Sequence, residues 1–282
     1  MTWRISFFDK RVISKFSLLF SIISGTLSFA LLFNFIPKDY TYILPCIGYS
    51  AIGVLIIGYM CIWCKLNKLT NIRITIDGSD VIVKVGDLFE EEGYKAIAFN
   101  EYFDTQVDGE IISEKSLNGI FIKKHLSESL LELDEYIRLK SKADDILDPN
   151  FVRSNGGKTI KYKISSIVVY NDYLLTAFSK FDEHNNARLS MPEYIEFLIN
   201  FWDRVNRVYA QESVSVPIFG SGMTRIKEHK NISDEDLLKI MLWTFKLSET
   251  KFKYPAKLSI IIHKDKISKI NLLDISSIEK GL

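Results

Sequence analysis

Residues 214–225 read VSVPIFGSGMTR, in which an apolar β-rich run passes directly into a glycine loop. Because glycine has no side chain, the backbone N–H groups of such a loop are free to surround a phosphate. A threonine hydroxyl and an arginine guanidinium follow and add further donors. We therefore predict an anion-binding loop whose ligand contacts come from Gly220, Ser221, Gly222, Met223, Thr224 and Arg225.

Two earlier β-rich runs also end in polar residues. Residues 81–85 (VIVKV) lead into Gly86-Asp87-Leu88, and residues 96–99 (AIAF) lead into Asn100 and a polar loop. Ligands of open α/β folds bind at the carboxyl ends of the strands. Asp87 is suited to accept a hydrogen bond from an exocyclic amine such as that of adenine. Each pattern alone is typical of an ordinary turn or connection. It is their order along the chain that supports a ligand site.

Strand and helix patterns alternate along residues 71–282. Periodic apolar positions behind Ser190 and behind Ser233 predict two capped helices, and further helical patterns cover 116–125 and 128–140. Alternating or wholly apolar β-rich runs predict strands. The predicted strands are 72–76, 81–85, 96–99, 160–169, 173–178, 214–219 and 257–262. Residues 264–282 give no clear pattern. The alternation predicts a three-layer α/β/α domain of about 200 residues.

Two long uncharged apolar runs precede this domain. Residues 16–36 and residues 41–64 are 21 and 24 residues long, and only four residues separate them. At about 1.5 Å per residue, each run can cross the roughly 30 Å hydrocarbon core of a bilayer as a helix. We predict a two-helix transmembrane hairpin in residues 1–70 and a ligand-binding domain in residues 71–282. A cleaved signal peptide is the alternative for the first run, although its length and the second run argue against it.

The charge distribution predicts the topology of the chain. Residues 1–70 carry seven Lys or Arg and two acidic residues, whereas residues 71–282 carry 29 basic and 33 acidic residues. Basic residues flank the outer ends of both apolar runs, so the positive-inside rule places both termini in the cytoplasm. The second domain, with a net charge of −4, lacks the basic field that nucleic-acid-binding surfaces need. The predicted partners include membrane lipids and exclude nucleic acid.

The order of these segments resembles macro domains, the ADP-ribose-binding α/β/α fold. Macro domains commonly carry a Gly-Asp-Ile/Leu segment, a buried strand that ends in Asn, a loop with an acid and a glycine, and a late Pro-x-x-Gly-x-Gly loop. The corresponding segments here are Gly86-Asp87-Leu88, Ala96–Asn100, Val107-Asp108-Gly109 and Pro217–Gly222. The resemblance implies that Asp87, with Leu88 beside it, holds adenine. It also implies that Asn100 and Asp108 face the distal part of the ligand and that the glycine loop surrounds the diphosphate.

The apolar runs, together with residues 100–105 (NEYFDT) and 116–119 (SLNG), look like one group in particular. That group is the transmembrane macro-domain type of the Thoeris ThsA anti-phage effectors. The resemblance implies that a TIR-domain partner protein converts NAD into a nucleotide signal similar to ADP-ribose joined to histidine. The macro domain would bind this signal, copies of the protein would self-associate, and the spans would disrupt the inner membrane. The resemblance implies no cofactor besides this nucleotide ligand.

Two other functions are alternatives. Macro-domain hydrolases often carry a second Asn soon after the strand-end Asn, followed by a Gly triplet, and this chain has Glu101-Tyr102-Phe103-Asp104 there instead. We therefore expect ligand binding without turnover, no catalytic residues and no enzyme activity. A membrane-anchored ADP-ribosyl hydrolase or ADP-ribose reader is the first alternative, and a passive membrane scaffold is the second. The four histidines are scattered along the chain, so we expect no metal site.

Overall fold

The chain forms two compact units, residues 1–70 and residues 71–282, in the computed structural model. The structure describes residues 3–33, 42–126, 129–222, 224–226, 232–248 and 252–281. The first unit contains the helices α1 (Lys10–Leu32) and α2 (Leu44–Asn67). Both are long and apolar enough to cross a membrane, with candidate spans Lys10–Ala30 and Leu44–Asn67. Helix α1 begins before the predicted span 16–36, and residues 34–41, where the two predicted spans meet their connection, lie outside the described residues.

The two helices of the first unit pack against each other. The rings of Phe16 and Tyr59 meet edge to face with 5.1 Å between their centroids. A Cβ atom at Gly58 would lie 2.6 Å from Leu19 Cδ2, so the absence of a side chain there permits the close approach. Exposed apolar side chains cover much of the remaining surface of both helices, and such a surface suits contact with lipid.

The second unit is built on one mixed sheet. Its strands and helices follow in chain order: β1 (Asn71–Ile76), β2 (Ser79–Val85), β3 (Tyr94–Asn100), α3 (Leu117–Ile120), α4 (Leu130–Lys140), β4 (Ile146–Asp148), β5 (Lys161–Tyr162), β6 (Ile167–Tyr170), β7 (Tyr173–Phe181), β8 (Ala187–Leu189), α5 (Met191–Val208), β9 (Val214–Pro217), β10 (Arg225–Ile226), α6 (Asp234–Leu247), β11 (Leu258–Ile262) and α7 (Leu272–Gly281). The order of strands in the sheet is β1-β2-β11-β9-β3-β7-β8-β10, with β6 also paired to β7. Strands β4 and β5 form a separate pair.

Five neighbouring strands at the centre of this sheet, β2, β11, β9, β3 and β7, run parallel. Their carboxyl ends therefore lie along one edge. The last two of them in the sequence, β9 and β11, lie between β2 and β3, which are adjacent in the sequence. This order brings the glycine loop after β9 next to Asn100 at the end of β3.

Helices cover both faces of the sheet. Neighbouring residues of β7 show this, because successive side chains of a strand point to opposite sides of the sheet. Ala177 belongs to the hydrophobic cluster that contains Leu133 of α4. The ring of Phe178 instead lies 4.7 Å from the ring of Phe197 of α5. Helix α5 begins as predicted at Ser190, whose hydroxyl accepts the N–H of the third helical residue in a capping box. The predicted three-layer α/β/α fold is confirmed.

Two predicted strands are shorter than expected. The strand predicted over 160–169 is divided into β5, which pairs with β4, and β6, which pairs with β7. Between them Ser165 has a φ of 75°, which breaks the extended conformation. The strand predicted over 214–219 ends at Pro217, because the chain turns immediately afterwards.

Two helical segments also differ from the prediction. The helix predicted over 116–125 is the four-residue α3 followed by a π turn at Phe121–His125. The C-terminal tail, which gave no clear pattern, contains a short 3₁₀ turn and α7. Helix α6 begins at the predicted Ser233 cap, where the hydroxyl accepts the Asp236 N–H at 3.0 Å.

Candidate ligand-binding site

A cavity of about 550 Å³ lies at the carboxyl edge of the parallel strands. The segments that follow β3, β7, β9 and β11 all contribute to its wall, as do residues 109–118. Its volume lies within the range of pockets that hold small organic ligands. The polar and charged wall residues are Asn100, Glu110, Ser113, Lys115, Ser116, Asn118, Ser179, His184, Asn185, Asn186, Ser221, Thr224, His263 and Lys266. The segments after β3 and β9, predicted from the sequence, thus meet at one cavity.

The glycine loop forms one wall of the cavity. Gly220 has a φ of 83°, a conformation that favours glycine, and Gly220, Ser221, Gly222 and Thr224 all line the cavity. The Ser221 N–H turns back to the Ile218 carbonyl at 3.2 Å. A Cβ atom at Gly222 would meet no atom within 4 Å, so this position faces open space. Met223 lies outside the described residues.

A buried tyrosine supports the start of this loop from behind. The Tyr194 hydroxyl of α5 donates to the Phe219 carbonyl at 2.8 Å, and the side chain is fully buried. Burial raises the pKa of the Tyr194 phenol, so the group stays a donor. The backbone of Arg225 forms β10 beside β8, and its side chain is not among those described. The loop is therefore fixed on the protein side by packed elements of the second unit.

Asn100 lines the cavity at the end of β3 and is almost fully buried. Its Oδ1 atom accepts the backbone N–H groups of Tyr102 at 3.0 Å and Asp104 at 3.2 Å. Its Nδ2 atom donates to Asp104 Oδ2 at 2.9 Å. The two backbone donors fix which amide atom is the oxygen. One N–H of the Asn100 amide has no partner among the described residues.

Asp108 shapes the loop beside the cavity and is itself exposed. Its Oδ1 atom accepts the N–H groups of Ile111 at 2.8 Å and Glu110 at 2.9 Å. These backbone hydrogen bonds, led by that from Ile111, lower the pKa of the Asp108 carboxyl. Asp108 is absent from the cavity wall, whereas its neighbour Gly109 is part of it. In this structure Asp108 therefore acts on the site through the conformation of residues 109–112.

Asp87 and Leu88 lie at the same sheet edge but outside the cavity wall. The Asp87 carboxylate accepts the Phe89 N–H at 3.0 Å and caps a short 3₁₀ turn. Leu88 is 4% exposed and belongs to the hydrophobic core. The Gly86 N–H bonds to the Ile262 carbonyl at 3.1 Å, which holds this segment beside β11. Their predicted contacts with adenine stay a prediction.

Two other parts of the wall are absent from the sequence prediction. The turn between β7 and β8 contributes His184, Asn185 and Asn186, and the segment after β11 contributes His263 and Lys266. The signal that could have found both is their position after β7 and β11, two strands whose carboxyl ends share the edge with β3 and β9.

The charged residues of the wall favour an anionic ligand. Among the described residues of the wall, two lysines, Lys115 and Lys266, outnumber one carboxylate, Glu110. The backbone N–H groups of the glycine loop add partial positive charge at the same place. Within the described part of the chain no three His, Cys, Asp or Glu side chains are grouped so that they can hold a metal ion. The cavity is therefore suited to a phosphate-bearing organic molecule.

The sequence of the second unit matches a known family. A sequence model of the macro domain of Thoeris protein ThsA matches residues 81–263. The chain belongs to the Thoeris ThsA family. The Thoeris protein ThsA of Bacillus amyloliquefaciens (strain Y2) is 42% identical over 220 residues, which cover 77% of this chain and 73% of that protein.

Solved macrodomain structures are also similar to this chain. The Oceanobacillus iheyensis macrodomain with ADP is 14% identical, and the match covers 75% of this chain and 98% of that one with a TM-score of 0.46. The same macrodomain with MES bound has the same identity, coverage and TM-score. Membership in the ThsA family rests on the sequence matches, and it confirms the predicted relationship to macro-domain effectors of Thoeris antiviral defence.

Proposed function

We propose that this protein is a membrane effector of Thoeris defence that an NAD-derived nucleotide switches on by binding to the macro domain. The observation that supports this proposal best is the cavity itself. It joins a glycine loop with free space at Gly222 to a cationic wall and to the amide of Asn100. A diphosphate on the loop and a ribose-type group near Asn100 satisfy these donors together.

The proposed ligand is an ADP-ribose-type signal, in particular ADP-ribose joined to histidine, made by a TIR-domain partner. The sheet order supports an extended ligand, because the strand ends β2, β11, β9, β3 and β7 follow one another along one edge. With the diphosphate on the β9 loop, the adenine side points toward β11 and Asp87. The distal side points toward β3 and β7.

We favour binding without turnover, so the protein acts as an effector and not as an enzyme. The four residues after Asn100, Glu101-Tyr102-Phe103-Asp104, include no glycine, and all four are at most 2% exposed. Asp104 is already engaged by Asn100 and by Arg153. The membrane-anchored hydrolase is the alternative, and its support is the strand-end asparagine at the cavity.

Signal binding must also change the state of the membrane unit. A ligand that binds the active state a hundredfold more tightly than the resting state supplies about 2.7 kcal/mol per site. Self-association adds the contributions of several sites, so a tightly closed resting state can be switched. In our proposal, α1 and α2 span the inner membrane with both termini cytoplasmic, and their rearrangement in the assembled protein disrupts the bilayer.

A calorimetric titration of the full-length protein in detergent micelles tests the ligand assignment. We expect saturable binding of ADP-ribose and of its histidine conjugate, with inorganic phosphate as the negative control. Failure of both nucleotides to bind would contradict the proposal. Incubation with an ADP-ribosylated protein separates the alternatives, because steady release of free ADP-ribose would favour the hydrolase.

A second experiment tests the membrane step. The full-length protein is reconstituted into dye-loaded liposomes, and its size in detergent is followed by light scattering. We expect the histidine conjugate to increase both the dye release and the particle size. An unchanged size and intact liposomes at saturating ligand would instead support a passive scaffold.

A further inference from the structure

A buried ion pair lies directly behind the β3 end of the cavity. Arg153 Nη1 is 2.7 Å from Asp104 Oδ2 and 3.0 Å from Asp104 Oδ1. The two side chains are only 6% and 1% exposed. The guanidinium also lies over the Tyr102 ring, with 4.2 Å between Cζ and the ring centroid. Neither charged residue is part of the cavity wall.

The pair reaches the cavity at two points. On one side, Asp104 Oδ2 accepts the Nδ2 hydrogen of Asn100, a wall residue. On the other side, Arg153 Nη2 donates to Oδ1 of Asn185, a wall residue of the turn between β7 and β8, at 2.7 Å. A single buried arginine therefore connects two segments of the wall that are far apart in the sequence.

The segment that carries Arg153 is itself adapted to this position. Gly157 has a φ of 92°, and a Cβ atom there would lie 2.1 Å from Arg153 Nη1. The absence of a side chain at Gly157 lets the chain close over the ion pair. The Lys158 N–H donates to Asp104 Oδ1 at 2.8 Å. The Asn155 carbonyl accepts from Asn185 Nδ2 at 2.9 Å, which ties the same segment to the turn a second time.

We propose that Arg153 is the positioning residue for the distal end of the ligand site, an inference that rests on the proposed nucleotide-binding function. Arg153 holds Asp104 in place, and Asp104 in turn fixes the Asn100 amide so that one N–H is left for the ligand. Through Asn185, Arg153 also fixes the 184–186 turn against the same part of the cavity. These contacts of Arg153 position the part of the wall that faces the ligand group beyond the diphosphate, toward β3 and β7. The adenosine and diphosphate contacts lie elsewhere along the edge.

The chemistry of this end follows from the hydrogen bonds already made. The Asn100 oxygen is occupied by two backbone N–H groups, and only an N–H donor is left. Both atoms of the Asn185 amide also have protein partners. The distal end therefore selects a group with acceptor oxygens, such as a sugar hydroxyl, and the charge of Asp104 is neutralised behind the wall.

Replacement Arg153→Lys tests the inference in the full-length protein. Lysine keeps the charge next to Asp104, but its single ammonium cannot form the planar pair of contacts to Asp104 and Asn185. We expect ADP-ribose affinity to fall about tenfold. ADP affinity should change by less than about twofold, as for an independent site. A role in overall stability alone would weaken both ligands together. Arg138→Lys is the matched control, because Arg138 forms an exposed ion pair on α4.

Amide hydrogen exchange without ligand tests the structural part of the inference separately from the ligand assignment. In Arg153→Lys we expect faster exchange in residues 149–160 and 182–186 and unchanged exchange in the 217–222 loop. If the wild-type protein binds no ADP-ribose while the exchange changes as expected, the proposed function fails, and Arg153 is left with a structural role in ordering the two wall segments. If exchange and the ratio of ADP-ribose to ADP affinity both stay at wild-type values, the inference is overturned.

A neutral double variant covers the case in which Arg153→Lys folds poorly. Asp104→Asn combined with Arg153→Gln removes both buried charges together, so that neither is left unpaired. We expect this variant to fold and to show the same selective loss of ADP-ribose affinity. Wild-type affinity for ADP-ribose in the folded double variant would contradict the positioning role.

Discussion

The Lys266 ammonium donates a hydrogen bond to the Ser221 carbonyl at 2.8 Å. The same ammonium lies 3.4 Å from Asp234 Oδ2, at the first turn of α6. A carbonyl and the following N–H of a trans peptide point in opposite directions. The Lys266 contact therefore also fixes the direction of the Gly222 N–H, in the part of the cavity that we assign to the diphosphate.

Replacement Lys266→Met is expected to weaken every diphosphate ligand. The variant loses a positive charge of the wall and the bond that orients the glycine loop, so ADP and ADP-ribose should both bind about tenfold more weakly. Calorimetry with the two ligands measures this directly. Lys264→Met is the control, because Lys264 is exposed and outside the wall. A loss for ADP-ribose alone would contradict the assignment of this loop.

The glycine loop offers a pair of substitutions that separate binding from folding. Gly222→Glu places a carboxylate in open space at the loop, so ADP-ribose binding should be lost while the thermal midpoint stays close to wild type. Gly220→Glu forces a left-handed φ and directs its Cβ toward Leu237 and Tyr194. It should lower the unfolding free energy by about 2 kcal/mol or more.

Gly222→Ala provides the matched control, because a methyl group fits the free space without adding charge. It should retain ADP-ribose binding within a few-fold of wild type. Unimpaired binding by Gly222→Glu would remove the glycine loop from the site. Calorimetric titration and scanning calorimetry on the same samples give both quantities.

Local signals in the sequence were sufficient for much of the fold. Ser190 and Ser233 define the starts of α5 and α6 through their own hydrogen bonds to the first helical turn, and such caps depend only on adjacent residues. The sequence likewise predicts the ends of β3 and β9, because their apolar runs stop at Asn100 and at the glycine loop. Residues of both segments line the cavity.

The remaining walls depend on contacts between distant parts of the chain. Lys266 reaches the cavity only because β11 inserts between β2 and β9, and no local pattern encodes that order. Arg153 lies in a loop without periodicity, and its partner Asp104 is fixed only when the fold is complete. The divided strand over 160–169 has a similar cause, because Ser165 adopts a positive φ in the middle of a β-rich run.

The buried Glu101 carboxyl lowers the stability of the folded protein at neutral pH. The residue is 1% exposed, and burial raises the pKa of its carboxyl, although the Lys161 ammonium at 3.5 Å opposes the shift. The folded state therefore binds this proton more tightly than the unfolded state does. Stability from this group is present at low pH and is lost as the pH rises from 4.5 through the folded pKa.

Replacement Glu101→Gln should remove this pH dependence. The amide oxygen can still accept the Phe181 N–H, which Glu101 Oε1 now accepts at 3.1 Å. Relative to wild type, the variant should gain thermal stability as the pH rises above 4.5. Glu135→Gln should instead lose thermal stability relative to wild type as the pH rises, because the hydrogen bond from Arg138 lowers the pKa of Glu135. A stability difference between Glu101→Gln and wild type that does not vary with pH would contradict the assignment.

The distribution of basic residues around α1 and α2 predicts where each end of the membrane unit lies. Lys10, Arg11 and Lys15 precede or begin the first span, and Lys65 and Lys68 lie at the end of the second, so both ends are expected on the cytoplasmic side. A reporter protein fused after Thr70 should be digested by protease added to inside-out membrane vesicles and protected in right-side-out spheroplasts. A fusion after Lys38, in the connection between the spans, should show the reverse pattern. Protection of the Thr70 fusion in inside-out vesicles would mean that the first unit crosses the membrane in the opposite sense or only once, and the macro domain would then lie on the wrong side to receive a cytoplasmic nucleotide.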